Sequence, residues 1–439
     1  MTVTVAVFTR DLRVHDNPVL AAAVRDATAV VPLFVVDSAI VTDRASANRM
    51  RFLAAALAEL DEGLRRAGGR VVIRHGDVVD AVDRVVAETG ADRVHIAADV
   101  SWYSRWRADA LRRRLHRRPC RLHVHPGSIT AVAASELRPA TGRDHFAVFT
   151  PYYRRWRGVA LRRPIPAPVQ LTVPAVGGEP LSELDVESGT ESPRLSVGGE
   201  ATARKVLWHW LSGPVDNYAA DADQLAADAT SRLSPYLHFG CLSPTEVLVR
   251  LDGSTAGGEA FARQLAWREF HHQVLAARPD AGWRDYRDRR VGWCDDPDSI
   301  EAWRTGRTGF PVVDAALRQL HAEGWMHGRA RLIAASFLTK TLQVDWRVGA
   351  QHFRRWLVDA DVANNQMNWQ WMAGTGNDTR PNRVLNPLRQ ADRYDPDGDY
   401  VRRWLPELAY LRGRDVHRPW RVGVPAEVYP APLVECHGM

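Results

Sequence analysis

Residues 359–371 bring carboxylates, amides and indoles together at a spacing that suits a helix. Asp361, Asn365 and Trp369 follow one another at intervals of four residues, so at helical periodicity they share one face. An apolar core around this face would leave the aspartate and the asparagine unpaired, at a cost of roughly 1–3 kcal/mol each. The face therefore indicates a planar partner with hydrogen-bonding groups along its edge, and a flavin ring has that character.

A polar face on one helix more often belongs to a structural hydrogen-bond network, so the rest of the sequence has to decide. Four further motifs occur at residues 230–240 (TSRLSPYLHFG), 267–270 (WREF), 308–320 (TGFPVVDAALRQL) and 324–327 (GWMH). With these motifs the chain resembles the photolyase/cryptochrome flavoproteins. The resemblance runs from residues 8–13 (FTRDLR) to about residues 429–432 (YPAP), which is nearly the whole length.

Composition sets broad limits on the class of protein. The 439 residues leave room for two or three domains, and no apolar run approaches the ~18–20 residues of a membrane span. The cysteines are few and widely spaced, at Cys120, Cys241, Cys294 and Cys436, without a Cys-x-x-Cys pair. We therefore expect a cytoplasmic protein with no membrane partner and no bound metal.

The charge is compatible with a polyanionic partner, although by itself it is a weak signal. The net charge is +6 with a pI near 9.3, and nearly all of the cations are arginines, since Lys205 and Lys340 are the two lysines. Tryptophan is unusually frequent: the chain has 16, against 11 phenylalanines and 10 tyrosines. Thirteen of the tryptophans follow residue 200, which draws attention to that part of the chain.

The first 130 residues alternate apolar runs with helical patterns. We predict strands at residues 3–9, 30–36, 70–74, 93–97 and 121–125, with helices at 17–26, 48–67, 78–89 and 102–118 between them. This alternation predicts a Rossmann-like α/β domain with a parallel sheet, although the Gly-x-Gly-x-x-Gly motif of dinucleotide sites is absent. A connector at residues 131–202 and an all-α domain at 203–439 follow. Helix caps are expected at Ser243-Pro244 and at residues 298–301.

The resemblance implies FAD, working as FADH⁻, in the helical domain. The family residues that hold the flavin pyrophosphate match Thr230, Ser231, Arg232, Leu233 and Ser234. Hydroxyl groups and a helix N-terminus can cradle a phosphate, although such a run is more often a plain N-cap. Further cofactor contacts match Tyr218, Phe261, Arg268, Arg331, Asp359, Ala360 and Asp361, and Phe261 stands where tryptophan is usual.

Four residues carry the redox roles that the resemblance implies. Asn365 matches the residue that faces flavin N5, where an amide that donates a hydrogen bond lets the anionic reduced ring persist. Trp293, Trp346 and Trp369 match the three tryptophans through which electrons reach the flavin during photoreduction. Asp359 and Asp361 are expected to pair with Arg331 and to bind the isoalloxazine edge.

The implied partner is ultraviolet-damaged DNA that contains a cyclobutane pyrimidine dimer, bound by a monomer. The dimer has to leave the duplex, so the protein needs a basic rim and an aromatic wall. Trp267 matches the tryptophan that stacks on the dimer, and the other matching positions are Gln264, Arg268, Trp325, Gly328, Arg329 and Gln390. Several positions depart from the usual pattern: glutamate at 264, asparagine at 328, methionine at 332 and arginine at 222 are replaced by Gln264, Gly328, Leu332 and Ala222.

Two other functions within the family have to be considered. A (6-4) photolyase needs a pair of histidines at the positions of Gly328 and Leu332, so this chain lacks the proton donor for that repair. A cryptochrome light receptor without repair activity agrees with Gln264 and Gly328, whereas the retained Trp267 and the short tail after residue 432 favour repair. A generic electron-transfer flavoprotein would leave Trp267 unexplained. We expect repair of cyclobutane dimers.

A second chromophore that harvests light is common in the family. Arg51 and Asp99 match positions that bind a deazaflavin in some relatives, so a deazaflavin (8-HDF) is favoured over a folate (MTHF). An arginine on a helix and an aspartate after a strand are also ordinary surface features. An empty pocket therefore stays open as an alternative.

Overall fold

The computed structural model describes residues 2–40, 46–180, 190–289 and 292–435, so Cys436 lies outside the described residues. The chain forms two compact units, each assembled from three stretches. The first unit comprises Met1–Thr190, Val197–Asp216 and Ser231–Gly282, and the second comprises Glu191–Ser196, Asn217–Thr230 and Trp283–Met439. The predicted domains are instead continuous stretches of sequence, with boundaries after residues 130 and 202, and they stay a prediction.

A five-stranded parallel sheet forms the centre of the first unit. Its strands are β1 Val3–Phe8, β2 Ala29–Asp37, β3 Val72–Gly76, β4 Arg93–Ala97 and β5 Arg121–His125, in the order β3-β2-β1-β4-β5. Every residue of β1 and β2 is buried, as expected for central strands that are covered on both faces. The predicted parallel sheet is confirmed, with β3 beginning two residues later than expected.

Helices alternate with these strands, as the sequence predicts. They are α1 Pro18–Asp26, α2 Ala47–Arg66, α3 Val78–Thr89 and α4 Trp102–Leu115. The bounds of α3 match the prediction because both of its ends are set by neighbouring residues in the sequence. Asp77 accepts hydrogen bonds from the Val79 and Asp80 amides, and Gly90 takes the left-handed conformation that ends the helix.

The first unit also contains the helices α5 Phe149–Trp156, α6 Glu200–Leu211, α8 Ser234–Phe239, α9 Pro244–Arg250 and α10 Ala256–Ala277. The predicted cap before α9 is confirmed, since Ser243 accepts from the Glu246 amide. A buried carboxylate fixes α10: Glu269 accepts from the Trp156 indole at 2.7 Å, from the Val132 amide at 3.1 Å and from the Ala131 amide. These hydrogen bonds hold α10 against α5 and against residues 131–132.

The second unit is built from α7 Tyr218–Asp221, α11 Pro297–Arg304, α12 Pro311–Glu323, α13 Gly328–Ser336, α14 Trp346–Trp356, α15 Val362–Ala373, α16 Pro387–Tyr394 and α17 Asp399–Trp404. The helices α11 to α17 pack around a core that includes Trp303, Phe310, Phe337, Trp346 and Trp369. The predicted cap at residues 298–301 is wrong: Asp296 caps α11 and Pro297 occupies its first turn, where a missing amide N–H costs nothing.

Within the described ranges, no helix is long and apolar enough to cross a membrane. The same residues contain no group of three histidine, cysteine or acidic side chains placed to hold a metal ion. Cys120, Cys241 and Cys294 are free thiols.

Candidate functional site

The second unit positions the polar residues of the 359–371 segment at the start of α15. Asp361 is the N-cap: its carboxylate accepts hydrogen bonds from the Asn364 amide and from Asn364 Nδ2, both at 2.8 Å. Asp361 therefore precedes the helix and does not extend its face, contrary to the prediction. This capping role accounts for an aspartate at position 361, because the first N–H groups of a helix have no partner within it.

Asp359 forms the ion pair that the resemblance implies. Arg331 Nη2 lies 2.8 Å from Asp359 Oδ2, and Arg331 Nε donates to the Met326 carbonyl at 2.9 Å. The second carboxylate oxygen, Oδ1, is buried and has no hydrogen-bond donor within the part of the chain that the structure describes. A buried carboxylate oxygen without a donor is costly, so this atom marks a place where a ligand N–H would fit.

Asn365 is buried one turn into α15. Its amide nitrogen donates to the Ala350 carbonyl at 3.1 Å and to Gln366 Oε1 at 3.0 Å. Both N–H groups of the amide are thus used inside the second unit. What Asn365 can offer to a further partner in this arrangement is its carbonyl oxygen, which accepts a hydrogen bond.

The three expected redox tryptophans all belong to the second unit and differ in exposure. Trp346 is 0% exposed, Trp369 is 2% exposed and Trp293 is only partly buried. The Trp346 indole donates to Asp285 at 2.9 Å, and the Arg347 guanidinium lies 4.7 Å from its ring centroid. Trp369 packs so closely on Gly349 that a Cβ at that position would clash with its ring, which explains the glycine within α14.

The first unit carries most of the Thr-Ser-Arg-Leu-Ser motif. The helix α8 begins at Ser234 after Leu233, and no side chain caps its N-terminus. Ser231 Oγ accepts from the Leu233 amide at 3.3 Å, and Arg232 has a φ of 49°, a left-handed turn that non-glycine residues rarely adopt. A plain side-chain cap therefore does not account for this run of hydroxyl groups.

Three more expected cofactor residues have distinct surroundings. In the second unit, Thr230 Oγ1 is buried without a hydrogen-bond partner within the described residues. Burial, and then the neighbouring Asp223 carboxylate, raise the pKa of Tyr218 to about 12, so its hydroxyl stays protonated at neutral pH. In the first unit, Phe261 is buried and makes an edge contact with Trp210 at 5.4 Å between centroids.

An aromatic platform lies on α10 of the first unit. The Trp267 ring stacks on Phe149 with 3.7 Å between centroids and 5° between planes. Gln264, one turn earlier on α10, is exposed, and the exposed Arg263 holds its guanidinium 5.0 Å from the Phe149 ring. Phe149 and Arg263 are not predictable members of this platform, because nothing in their local sequence indicates that they lie near Trp267.

Arg268, the residue after Trp267, ties parts of the first unit together. It donates to the Ile129 carbonyl at 2.8 Å and to the Leu237 carbonyl, in α8, at 3.2 Å. These contacts give Arg268 a structural function in the first unit. The cofactor and DNA contacts expected of it stay predictions.

The remaining expected substrate residues belong to the second unit. Trp325 is buried, and His327 caps α13 by accepting from the Arg329 amide at 3.1 Å. Arg329 pairs with Asp223, with distances of 2.5 and 3.2 Å, and lies over the Tyr394 ring. A Cβ built on Gly328 would meet nothing within 4 Å, and Gln390 Oε1 is buried without a donor among the described residues.

The two residues expected to bind an antenna chromophore lie in the first unit. Asp99, just after β4, accepts from Arg10 at 3.3 Å and from Ser104 at 3.0 Å. It lines a cleft of about 420 Å³ at the carboxyl ends of β4 and β5. Arg51 lies on α2, is exposed and does not line this cleft.

Sequence profiles of known families match two regions of the chain. The profile of DNA photolyase matches residues 4–170, and that of the FAD binding domain of DNA photolyase matches residues 261–438. The deoxyribodipyrimidine photo-lyase of Streptomyces griseus is 54% identical, in an alignment that covers 99% of this chain and 97% of the relative. The chain belongs to the DNA photolyase family. The predicted family membership is therefore confirmed.

Solved structures of this family share the fold. A class III photolyase from Agrobacterium tumefaciens is 34% identical, with a TM-score of 0.93 and coverage of 99% of this chain and 95% of that one. A cryptochrome from Synechocystis is 29% identical, with a TM-score of 0.90 and coverage of 99% and 97%. The predicted α/β domain followed by helices is confirmed, and the FAD-binding domain of the family is present.

Buried neutral histidines give this photolyase-family protein a defined response to acid. Burial lowers the pKa of His327 and of His321 to about 4 and that of His352 to about 3, from an ordinary value of 6.5. In the unfolded chain these side chains take up a proton below about pH 6.5, whereas in the folded protein they resist it. Each histidine is therefore expected to remove about 2 kcal/mol of stability by pH 5.

Urea unfolding between pH 8 and pH 5 measures this effect. The midpoint is expected to be constant above pH 7.5 and to fall steadily below pH 6.5, with a shallower fall in His352→Phe. His116→Gln, at an exposed position, is the control. Equal midpoints at pH 7.5 and pH 5 would contradict the neutral histidines.

Proposed function

We propose that this photolyase-family protein repairs cyclobutane pyrimidine dimers in DNA with light. The observation that carries the proposal is the Trp267–Phe149 stack beside the exposed Gln264. An aromatic ring next to a hydrogen-bonding side chain suits a pair of thymines flipped out of the duplex. Reduced FAD, when bound, supplies on illumination the electron that opens the cyclobutane ring. The name of the Streptomyces griseus relative supports this substrate.

The unsatisfied polar groups of the second unit fit FAD. Asp359 Oδ1 and Thr230 Oγ1 are buried and lack partners among the described residues, so a ligand that brings a donor to the carboxylate and an acceptor to the hydroxyl would remove a desolvation cost. We assign Asp359 and Asp361, with Ala360 between them, to the edge of the isoalloxazine ring, where the ion pair with Arg331 orients Asp359. Tyr218, which precedes Thr230 by twelve residues in the sequence, supplies a protonated hydroxyl.

The pyrophosphate is assigned to Ser231, Arg232, Leu233 and Ser234. The N-terminus of α8 has no side-chain cap, and its amides and the adjacent hydroxyls can bind phosphate oxygens. Phe261 supplies an apolar wall in place of the usual tryptophan.

Asn365 is proposed to recognise the reduced ring through its carbonyl oxygen. Because both N–H groups of the amide are used by Ala350 and Gln366, the oxygen is the atom left to accept from the N5–H of a reduced flavin. This reverses the direction of the hydrogen bond expected from the sequence. A neutral amide accepts this bond without repelling the anionic ring, as the carboxylate of an aspartate would.

The proposed function is tested by illuminating the reduced protein with an oligonucleotide that contains one thymine dimer. We expect thymine absorbance near the ultraviolet maximum to recover in the light and not in the dark. An undamaged oligonucleotide is the control for photobleaching. Binding without recovery of absorbance would reject dimer repair.

A cryptochrome-type light receptor is the second candidate. The exposed Gln264 and the open space beside Gly328 favour it, because both remove groups expected to contact a lesion. In that case illumination would change the redox state of the flavin, and the thymine dimer in the DNA would stay intact. The repair assay therefore distinguishes the two functions directly.

Restoring the usual family residues at both positions is expected to raise the yield of dimer splitting. Gly328→Asn should leave stability within about 0.5 kcal/mol, since the position is open and exposed. Gln264→Glu should leave affinity similar and, with Gly328→Asn, increase the number of dimers split per absorbed photon. Gln351→Glu, at an exposed glutamine of α14, is the control for added charge. An unchanged yield would show that positions 264 and 328 do not face the lesion.

A second chromophore is proposed for the first unit. The cleft of about 420 Å³ beside Asp99 is of a size that takes a tricyclic ring. A deazaflavin is favoured over a folate on the family match of Asp99, whereas Arg51, the other matching residue, does not line the cleft. The absorption spectrum of the purified protein beyond the flavin bands tests this assignment.

A further inference from the structure

Trp369 makes ring contacts with Trp303 and Phe353 in the core of the second unit. Trp369 meets the Trp303 ring edge to face, with 6.0 Å between centroids and 75° between planes. Phe353 lies 4.9 Å from Trp369 and 6.2 Å from Trp303, so it fills the space beside them. Trp303 is 0% exposed and donates its indole N–H to the Ala334 carbonyl at 3.1 Å, which fixes the ring.

From Trp303 a continuous series of ring contacts reaches a partly exposed tryptophan. His352 lies 5.3 Å from Trp303, His321 lies 5.6 Å from His352, and Trp356 lies 4.4 Å from His321. Trp356 is the last residue of α14 and is only partly buried. All five rings belong to the second unit, so the series does not depend on any contact outside it.

We propose that Trp369, Trp303, His352, His321 and Trp356 form a second route for photoreduction, with Trp356 as its final electron donor. The route rests on the proposed function, because it begins with the electron that Trp369 gives to the photo-excited flavin. Trp303 then reduces the Trp369 cation radical, and Trp356 reduces the Trp303 cation radical through the two imidazoles. The Trp356 radical loses its indole proton to water, and a thiol reductant in solution returns one hydrogen atom to it.

The two imidazoles on the route carry no charge of their own. At neutral pH both imidazoles are uncharged, since burial, followed by nearby positive groups, lowers the pKa of His352 to about 3 and that of His321 to about 4. By contrast, the Arg347 guanidinium lies 4.7 Å from the Trp346 ring, although Asp285 accepts from both Trp346 and Arg347. A cation over an indole disfavours removal of an electron from it.

The test combines Trp293→Phe, which ends the expected Trp346 route, with Trp356→Phe. In protein loaded with oxidised FAD and a thiol, we expect Trp293→Phe to keep part of the parent's photoreduction. The Trp293→Phe/Trp356→Phe pair should fall to background. Trp404→Phe, at a buried tryptophan that contacts Tyr400 and Arg194, is the matched control in the Trp293→Phe background.

A second readout locates the hole without measuring photoreduction or repair. After illumination of Trp293→Phe in air, peptide mass spectrometry should find oxidised indole at Trp356, and Trp303→Phe should remove that product. The route would be overturned if Trp293→Phe showed no residual photoreduction. It would also be overturned if adding Trp356→Phe left that residual photoreduction unchanged. Loss of dimer repair in the parent would instead contradict the proposed function and leave these photoreduction results unaffected.

Discussion

Trp369→Phe is expected to abolish photoreduction of bound, oxidised FAD. Both the expected route through Trp346 and the proposed route through Trp303 begin at Trp369, so a residue that cannot be oxidised there closes both. A phenyl ring is far harder to oxidise than an indole, yet it fills part of the same buried volume against Gly349 and Phe353. Binding of FAD and repair by chemically reduced protein should survive.

Steady illumination of the oxidised protein with a thiol, followed by its absorption spectrum, measures this result. Trp371→Phe, two residues along α15, is the control for disturbance of the helix. Undiminished photoreduction in Trp369→Phe would remove Trp369 from the chain of donors. Loss of FAD from the variant would show that the residue acts mainly by packing.

Trp267→Ala is expected to lower affinity for dimer-containing DNA by about ten- to a hundredfold, because stacking on a flipped base contributes roughly 1–3 kcal/mol. Intact duplex offers no base to stack on, so affinity for undamaged DNA should change little. Arginine contacts supply a separate attraction that weakens with salt and does not depend on the lesion. The two terms can therefore be separated by titrating both DNAs at several salt concentrations.

Because Phe149 stacks on Trp267, the variant Trp267→Phe is a specific control for loss of the stack. Trp267→Phe keeps a ring on Phe149 and should retain more of the discrimination than Trp267→Ala. Thermal unfolding shows whether loss of the stack also disturbs α5 and α10. Equal affinity of the parent for damaged and undamaged DNA, with Trp267→Ala without effect on either, would reject repair and favour the light receptor.

The sequence by itself determined the elements whose signals are local. The apolar runs of β1 and β2 predicted buried parallel strands, and the predicted bounds of α3 agree with its Asp77 cap and the left-handed Gly90. Local signals also misled where two patterns competed. Asp361 fits both the face of a helix and its N-cap, and it caps α15 because an acidic side chain there binds the free amides of the first turn. The Asp296-Pro297 pair marks the start of α11 two residues before the predicted cap.

The tertiary structure decided which side chains meet and what state they take. Phe149 lies under Trp267, and Trp303 lies between Trp369 and His352, although neither pair is close in the sequence. Periodicity predicts only the face on which a residue lies, whereas these contacts depend on how separate helices pack. Burial then leaves Asp359 Oδ1 without a donor and uses both N–H groups of Asn365 within the protein. Hydrogen bonding of this kind depends on the three-dimensional neighbourhood, so the direction of the Asn365 contact could not be predicted from residue types and spacing.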